Sequence, residues 1–208
     1  MLTLTQVLPF LLAAILLTAS PGPDNLMVLS MGMSRGRRAG IAFGLGCASG
    51  CLSHTFLAVL GVSALVAASP GAFLALKLAG GAYLMWLGLQ ALRHAGSSQV
   101  SADASASMSD SRLFAKGLVA NAVNPKVVLF FLSFLPQFVD VSRGQVQWHL
   151  ASLGLLFTVQ AAILFALIAY FAGVIGAWLS RTPRAGQWLD RAAGVLFLAL
   201  GARLITGR

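Results

Sequence analysis

The chain has 208 residues, of which 58% are hydrophobic and only 9% are charged. A soluble domain usually has about a quarter of its residues charged, so this class is excluded. The apolar content excludes intrinsic disorder, and two cysteines are too few for a disulfide-built secreted domain. The class that remains is a polytopic membrane protein.

The net charge of +9 does not indicate nucleic-acid binding. The basic residues form no single patch, because they occur in short clusters between long apolar runs. That spacing is typical of charges that hold loops on one side of a bilayer. We therefore expect a lipid bilayer, and no nucleic acid, around this chain.

Six apolar segments predict six transmembrane helices, because a spanning helix needs about 20 mostly apolar residues. In chain order the segments are Leu2–Ser34, Ile41–Ala68, Ala72–Leu92, Leu113–Phe138, Trp148–Ser180 and Trp188–Ile205. The first is interrupted at Pro21–Asn25 and the fourth at Asn124–Pro125. Long continuous runs favour helices over a β-barrel, whose strands are short and alternate in polarity. The predicted fold is therefore all-α.

The distribution of Lys and Arg predicts the orientation of the chain. Nine basic residues fall in the loops 35–38, 93–116 and 181–191, whereas four fall on the opposite side. Positive charges concentrate in cytoplasmic loops, so we expect these three loops in the cytoplasm and both termini outside.

A polar stretch of low complexity divides the chain. Residues 95–111 read AGSSQVSADASASMSDS, which is the composition of a flexible linker. The segments 1–94 and 112–208 would then each contribute three helices to one membrane domain.

The two three-helix segments show a weak internal similarity. Helix 3 contains Gly81 and Gly88, and helix 6 contains Gly194 and Gly201, at a constant offset of 113. The broken first helix of each half also matches, although its offset is 102 to 104. Because three is an odd number, the second half would enter the membrane inverted. Inverted repeats with broken helices are typical of secondary transporters, and the breaks usually form the substrate site.

The two helix breaks provide the predicted substrate or ion pathway. Proline has no N–H, so each proline leaves a backbone carbonyl without its helical donor. A helix that restarts after Pro23 presents free N–H groups and a positive dipole end, which suits a carboxylate. The candidate pathway residues are Pro21, Gly22, Pro23, Asp24, Asn25, Asn121, Asn124, Pro125, Lys126 and Gln160.

These polar residues also have purely structural interpretations. Asp24 and Lys126 lie deep in apolar runs, where an ionisable group is costly and therefore indicates function. Alternatively, Asp24 could cap the second half of helix 1, and Lys126 could extend to an interface. Asn121 and Asn124 could repair the broken helix, and Gln160 could bond to another helix.

Glycines within the spans predict close helix packing. The candidates are Gly36, Gly40, Gly44, Gly46, Gly50, Gly81, Gly88, Gly194 and Gly201. Cys47, Cys51 and His54 lie near one face of helix 2, and with Asp24 they are weak candidates for a metal site. The Phe-rich stretch 130–138 is expected in the core or against lipid.

Several motifs resemble the LysE/RhtB family of lysine and homoserine-threonine exporters. They are Ser20-Pro21-Gly22-Pro23-Asp24-Asn25, Arg35-Gly36-Arg37-Arg38-Ala39-Gly40, Asn121-Ala122-Val123-Asn124-Pro125-Lys126, Phe134-Leu135-Pro136-Gln137-Phe138 and Gly80-Gly81-Ala82-Tyr83-Leu84. The resemblance covers nearly the whole chain apart from the linker and helix 5. The chain departs from it at Asp24, where many members carry Asn.

The resemblance implies export of amino acids or their derivatives from the cytoplasm across the bacterial inner membrane. It also implies coupling to a proton or membrane gradient, and a homodimer. The expected substrate is a homoserine-, threonine- or lysine-like molecule, with Asp24 as the candidate for proton coupling. Because nucleotide-binding, nucleophile-elbow and zinc-protease motifs are missing, we expect neither enzymatic activity nor a cofactor.

Two alternatives to amino-acid export stay open at this stage. One is a heavy-metal exporter that uses Cys47, Cys51 and His54. The other is a membrane scaffold without transport, in which glycine faces bind a partner and the breaks are kinks.

Overall fold

The computed structural model describes residues 2–62, 64, 69–93, 95, 108–139 and 145–206. Every regular element in these ranges is helical, which confirms the all-α prediction. The helices are α1 (Leu4–Ala19), α2 (Pro23–Arg35), α3 (Arg37–Leu57), α4 (Pro70–Arg93), α5 (Asp110–Ala122), α6 (Pro125–Leu129), α7 (Val146–Tyr170), α8 (Ala172–Arg181) and α9 (Pro183–Thr206). A π-helical turn, Ala58–Val62, extends α3, and a π-helical turn and a 3₁₀ turn, Phe130–Phe134 and Leu135–Phe138, extend α6.

At most five of the six predicted spans pass as apolar membrane helices within the described residues. Helices α3, α4 and α7 are each long and apolar enough to cross a membrane. Two bent pairs also qualify, α1 with α2 at 57° and α5 with Pro125–Phe138 at 51°. The sixth predicted span lies in α9, which carries Arg184, Asp190, Arg191 and Arg203 and is therefore less apolar.

Both breaks occur at the predicted prolines. Pro23 and Pro125 occupy the first position of α2 and α6, where a missing N–H costs nothing. The Asn124 side chain caps α6 by accepting a 3.1 Å hydrogen bond from the Lys126 backbone N–H. Gly22 precedes α2 without a side-chain cap, so the interpretation of Asp24 as the N-cap is wrong.

One further prediction is corrected by the structure, and another concerns residues that the structure does not describe. The single run Trp148–Ser180 is two helices, α7 and α8, which meet at Phe171. Residues 96–107 of the predicted linker lie outside the described residues.

The core lies around α3, α5 and α7. Helix α3 packs against α5 and α7, α1 and α2 also pack against α7, and α4 packs against α9. Phenyl rings from α1, the π-helical turn after α6, and α7 cluster near the centre of the molecule. Phe130 contacts Phe10 and Phe157 at ring-centroid distances of 6.3 and 5.3 Å. The Phe-rich stretch is thus core, and Phe130, Phe131 and Phe134 are almost completely buried.

Glycines let the backbones of α4 and α9 touch at two points. A Cβ added to Gly88 would lie 2.7 Å from the Gly194 carbonyl oxygen, and one added to Gly194 would lie 2.8 Å from that of Gly88. The second point joins Gly201 to Gly81, where the added Cβ of Gly201 would lie 2.7 Å from the Gly81 oxygen. The two contacts are related by the offset of 113, because Gly81 corresponds to Gly194 and Gly88 corresponds to Gly201.

The glycines of α3 serve its packing against neighbouring helices, with one exception. A Cβ on Gly40 or Gly44 would lie 2.9 Å from a side chain of α7, and a Cβ on Gly46 or Gly50 would meet α5. Gly36 has nothing within 4 Å, so its prediction as a packing residue is wrong. Its φ of +89° instead explains why a glycine joins α2 to α3.

Candidate functional site

A small buried cavity lies between the two helix breaks. It has room for about one water molecule. Its walls come from both broken helices, α3 and α7: Leu17, Thr18, Gly22, Asp24, Asn25, Cys51, Asn121, Asn124, Lys126, Val127, Phe157, Ala161 and Phe165. Six of the ten predicted pathway residues therefore line one cavity, although the two breaks are about a hundred residues apart in the chain.

Asp24 is held by the other broken helix. It is 5% exposed, and its Oδ2 accepts a 2.7 Å hydrogen bond from the Asn121 side-chain amide at the end of α5. A buried carboxylate is tolerated only with such partners. Asp24 also lies in the first turn of α2, where the helix dipole favours a negative charge.

Lys126 makes the reciprocal contact. It is 9% exposed, so the alternative in which it extends to an interface is wrong. Its Nζ donates to the Ser20 hydroxyl at 2.8 Å and to the Ser20 carbonyl at 3.1 Å, just before the first break. The Phe197 ring of α9 lies 5.3 Å from the same ammonium. Each broken helix thus places one charged side chain against the other broken helix: Asp24 contacts Asn121, and Lys126 contacts Ser20.

Asp24 and Lys126 line the same cavity and form no direct ion pair with each other in the structure. Each is the second residue of the helix that follows its break. The cavity consequently has a negative and a positive group on its walls. Electrostatic interactions with these groups are strong because the surroundings are buried and of low dielectric.

Backbone carbonyls beside the breaks accept hydrogen bonds from side chains. The Leu17 oxygen, which Pro21 leaves without its helical donor, accepts from the Ser20 hydroxyl at 2.6 Å. The Asn25 amide donates to the Thr18 oxygen at 2.7 Å and to the Ser20 oxygen at 3.2 Å. The Asn121 oxygen lies 3.0 Å from Nε2 of His54. The break therefore keeps few unsatisfied backbone groups, as a low-dielectric environment requires.

A second and wider cavity reaches the break from another direction. It has a volume of about 240 Å³. Its walls are Pro23, Asp24, Met27, Ala120, Val123, Asn124 and Pro125. Asp24 and Asn124 line both cavities, so they stand between the closed space and the more open one.

Gln160 and the cysteines lie around the site in different ways. Gln160 is buried and donates to the Thr18 hydroxyl at 2.9 Å, which is the interhelical bond foreseen as its alternative role. Cys51 lines the cavity with its Sγ 3.5 Å from the Asn121 side-chain oxygen. Cys47 is buried beneath it in α3.

Sequence reasoning missed one residue of this region. Ser20 was quoted within a motif but not as a site residue, although its position directly before Pro21 could have indicated it. Away from the site, Asp190 is also buried within α9, with an exposed fraction of 6%. Neighbouring charges in α9 hid that burial from a hydropathy argument.

The family model described as "LysE type translocator" matches residues 15–208 of the chain. The chain belongs to the LysE family. As a LysE translocator it is an integral membrane transporter and not an enzyme. The two proline motifs that suggested this family are the same segments that form the cavity.

Three efflux proteins illustrate the relationship to LysE translocators. The homoserine/homoserine lactone efflux protein of Salmonella typhimurium is 33% identical over 199 residues, covering 96% of this chain and 95% of its own. The threonine efflux protein of Escherichia coli K12 is 33% identical, covering 91% and 92%. The leucine efflux protein of Enterobacter sp. 638 is 28% identical, covering 94% and 92%. No solved structure matches the chain.

The two alternatives to amino-acid export gain no support. No group of three or more His, Cys, Asp or Glu in the described residues is arranged to hold a metal ion, so the metal-exporter hypothesis lacks a site. Membership of a translocator family likewise gives no support to a scaffold without transport.

Proposed function

We propose that this LysE translocator is a secondary active exporter of amino acids or their derivatives in the bacterial inner membrane, coupled to protons. The observation that carries the proposal is the pair of opposite charges, Asp24 and Lys126, on one buried cavity. Homoserine, threonine and lysine-like molecules are the proposed substrate class, since related chains are efflux proteins for homoserine and threonine.

The cavity suggests how a zwitterion would bind. The substrate carboxylate would take the Lys126 ammonium and the free N–H groups at the start of α2. The substrate ammonium would take the Asp24 carboxylate and the Ser20 carbonyl. In the structure these charges are held by Asn121 and Ser20, so the substrate would replace protein partners and leave no buried charge unpaired.

Transport requires the cavity to open. Its present room for about one water molecule is too small for an amino acid, so the structure corresponds to a closed arrangement. The breaks at Pro21–Asn25 and Asn124–Pro125 divide helices into halves that can tilt separately. The wider cavity beside Asp24 is the natural place for the first opening.

A 3+3 inverted repeat accounts for two pairs of contacts. The pair Gly81–Gly201 maps onto Gly194–Gly88 when 113 is added to the first number and subtracted from the second. Asp24 and Lys126 are likewise each second in their restarted helix, and each reaches the end of the opposite helix half. Such pairwise exchange is what a two-fold axis in the membrane plane would produce.

Asp24 is the proposed proton-coupling group. A carboxylate on a buried cavity can bind the substrate ammonium or a proton, and these compete for the same oxygen atoms. Export of one amino acid would then be linked to entry of a proton at the same site. The homodimer implied by the family resemblance stays a prediction.

The test is efflux of labelled homoserine, threonine and leucine from cells that express the wild type or Asp24→Asn. The wild type should export at least one of these, and an imposed pH gradient should accelerate export. Asp24→Asn should lose the acceleration. Undiminished proton-linked efflux in Asp24→Asn would remove Asp24 from the mechanism, and no efflux of any amino acid by the wild type would remove the proposed function.

A further inference from the structure

His54 has one ring nitrogen without a partner. It is 1% exposed, and its Nε2 lies 3.0 Å from the Asn121 backbone oxygen. A carbonyl oxygen can only accept, so Nε2 of the neutral ring carries the hydrogen and Nδ1 presents a lone pair. Nδ1 is buried and has no hydrogen-bond partner in the described structure. The helices therefore enclose a ring nitrogen whose lone pair has no hydrogen-bond donor in the described residues.

His149 is the second buried histidine of this kind. It is 6% exposed in the first turn of α7, and neither ring nitrogen has a hydrogen-bond partner within the described residues. A buried polar group without a partner is energetically costly, so native proteins contain few of them. Two such histidines on one pair of packed helices require an explanation.

The register of α3 against α7 orders the two histidines. Gly40 meets Ala169, Gly44 meets Phe165, and Thr55 meets Gly154, so the helices run antiparallel. Thr55 therefore lies beside Gly154, and His54 lies at nearly the same level along α3 but on the side that contacts α5. His149 precedes Gly154 by five residues on the buried face of α7, which places it about 7.5 Å closer to the start of that helix.

Asn121 connects His54 to the candidate substrate site. Its backbone oxygen contacts His54, and its side-chain amide holds Asp24. The order along the protein is accordingly Asp24, Asn121, His54, His149 and the membrane face at which α7 begins. That face is the one predicted to lie outside.

Among the described residues, few other titratable groups surround His54. Besides Asp24 they are the two cysteines of α3, Cys47 and Cys51. The π-helical turn contributes the Phe131 ring, at a centroid distance of 5.7 Å, and no titratable side chain. The titratable residues of helix α7 are His149 and, at its opposite end, Tyr170. The charged residues of α5 lie near its beginning, away from Asn121: Asp110, Arg112 and Lys116.

We propose that His54 and His149 bind the coupling proton between the outer membrane face and the cavity at Asp24. A proton would add to the free nitrogen of His149 and give an imidazolium. It would then leave that nitrogen for Nδ1 of His54, through water, and leave Nδ1 for the cavity. Nε2 of His54 would keep its own hydrogen throughout. Chains of carboxylates and histidines serve this purpose in membrane transporters.

The inference rests on the proposed proton-coupled export, and two assays in the same proteoliposomes separate the two. Exchange of labelled for unlabelled homoserine without a pH gradient needs substrate binding and opening but no net proton movement. Transport driven by an imposed pH gradient needs substrate binding and opening and also net proton movement. His54→Gln and His149→Gln keep a polar side chain of similar size, and His94→Gln, outside the described residues, is the matched control.

We expect both buried-site variants to exchange homoserine at close to the wild-type rate and to lose about tenfold or more of gradient-driven transport. His94→Gln should keep both activities. Full gradient-driven transport in both variants would overturn the inference, and so would a parallel loss of exchange, since that indicates a packing or binding role. Wild-type protein that exchanges no amino acid would instead count against the proposed function itself.

Discussion

Asp24 and Asn121 are 97 residues apart in the chain, yet the Asn121 amide donates a 2.7 Å hydrogen bond to the Asp24 carboxylate inside the protein. This contact joins the restart of the first broken helix to the end of α5. The Asn121 backbone oxygen also accepts a hydrogen bond from His54. Its side chain packs closely against Gly50, where an added Cβ would lie 2.8 Å from the Asn121 Cβ. The residue therefore positions Asp24 and closes the helix packing at the same point.

Replacing Asn121 should impair transport and stability together. Asn121→Leu keeps the approximate volume but leaves the Asp24 carboxylate without its donor, which costs about 1–3 kcal/mol. Thermal unfolding in detergent should show a lower midpoint, and homoserine exchange should fall. Gln147→Leu makes a similar amide-to-alkyl change at an exposed position of α7 and should alter neither. An unchanged midpoint for Asn121→Leu would contradict the role of this bond.

Gly22 leaves space for the ammonium of Lys126. A Cβ added to Gly22 would lie 3.2 Å from Nζ and 3.7 Å from the side-chain Cδ of that lysine. Its φ of −174° is accessible to any residue, so Gly22→Ala strains no backbone. We expect Gly22→Ala to fold normally and to exchange homoserine more slowly, because the ammonium must move away from Ser20.

The matched control for Gly22→Ala is Gly173→Ala, since Gly173 has nothing within 4 Å of its added Cβ. It should exchange homoserine like the wild type. Equal exchange rates for the two variants would show that the position of Lys126 is unimportant for transport.

The contact between α4 and α9 should be sensitive to a single methyl group. Gly194→Ala places a Cβ 2.8 Å from the Gly88 carbonyl oxygen, and overpacking of this kind costs about 1–3 kcal/mol. Gly186→Ala, in the same helix, has nothing within 4 Å and should be neutral or slightly stabilising, because alanine favours helix. Thermal unfolding compares the pair, and equal midpoints would argue against backbone contact.

The orientation of the chain can be tested at the ion pair between Arg38 and Asp110. Their side chains lie 2.5 Å apart and are well exposed, so the pair contributes little to stability and tolerates change. In a background with Cys47→Ala and Cys51→Ala, we expect Arg38→Cys and Asp110→Cys to react with a membrane-impermeant thiol reagent from the cytoplasmic side only. Labelling from the outside would reverse the predicted topology.

Much of the fold could be predicted because its determinants are local. Pro23 and Pro125 break helices whatever surrounds them. The long apolar runs of α3, α4 and α7 favour membrane-spanning helices over the strands of a barrel. The last span was less predictable, since the four charged residues of α9 lower its hydropathy while Asp190 is buried by its neighbours. Local composition does not contain that tertiary information.

The sequence indicated which residues form the site but not which residues bond to each other. The breaks indicated Asp24, Lys126 and Asn121, because ionisable and amide groups are costly in an apolar run. The partners depend on how the helices cross: Asp24 bonds Asn121, while Lys126 bonds Ser20. Gly36 failed as a packing glycine for the converse reason, because a spacing of four residues does not distinguish a helix face from a turn with positive φ.

Lys126 and Asp24 are proposed to bind an amino acid between the two helix breaks. The most direct measurement is exchange of labelled homoserine in proteoliposomes that contain the wild type or Lys126→Met, which keeps the length of the side chain and removes its charge. We expect exchange by the wild type and a loss of about tenfold or more in Lys126→Met, because about 1.4 kcal/mol of carboxylate binding corresponds to that factor. Exchange by Lys126→Met at the wild-type rate would contradict this proposal.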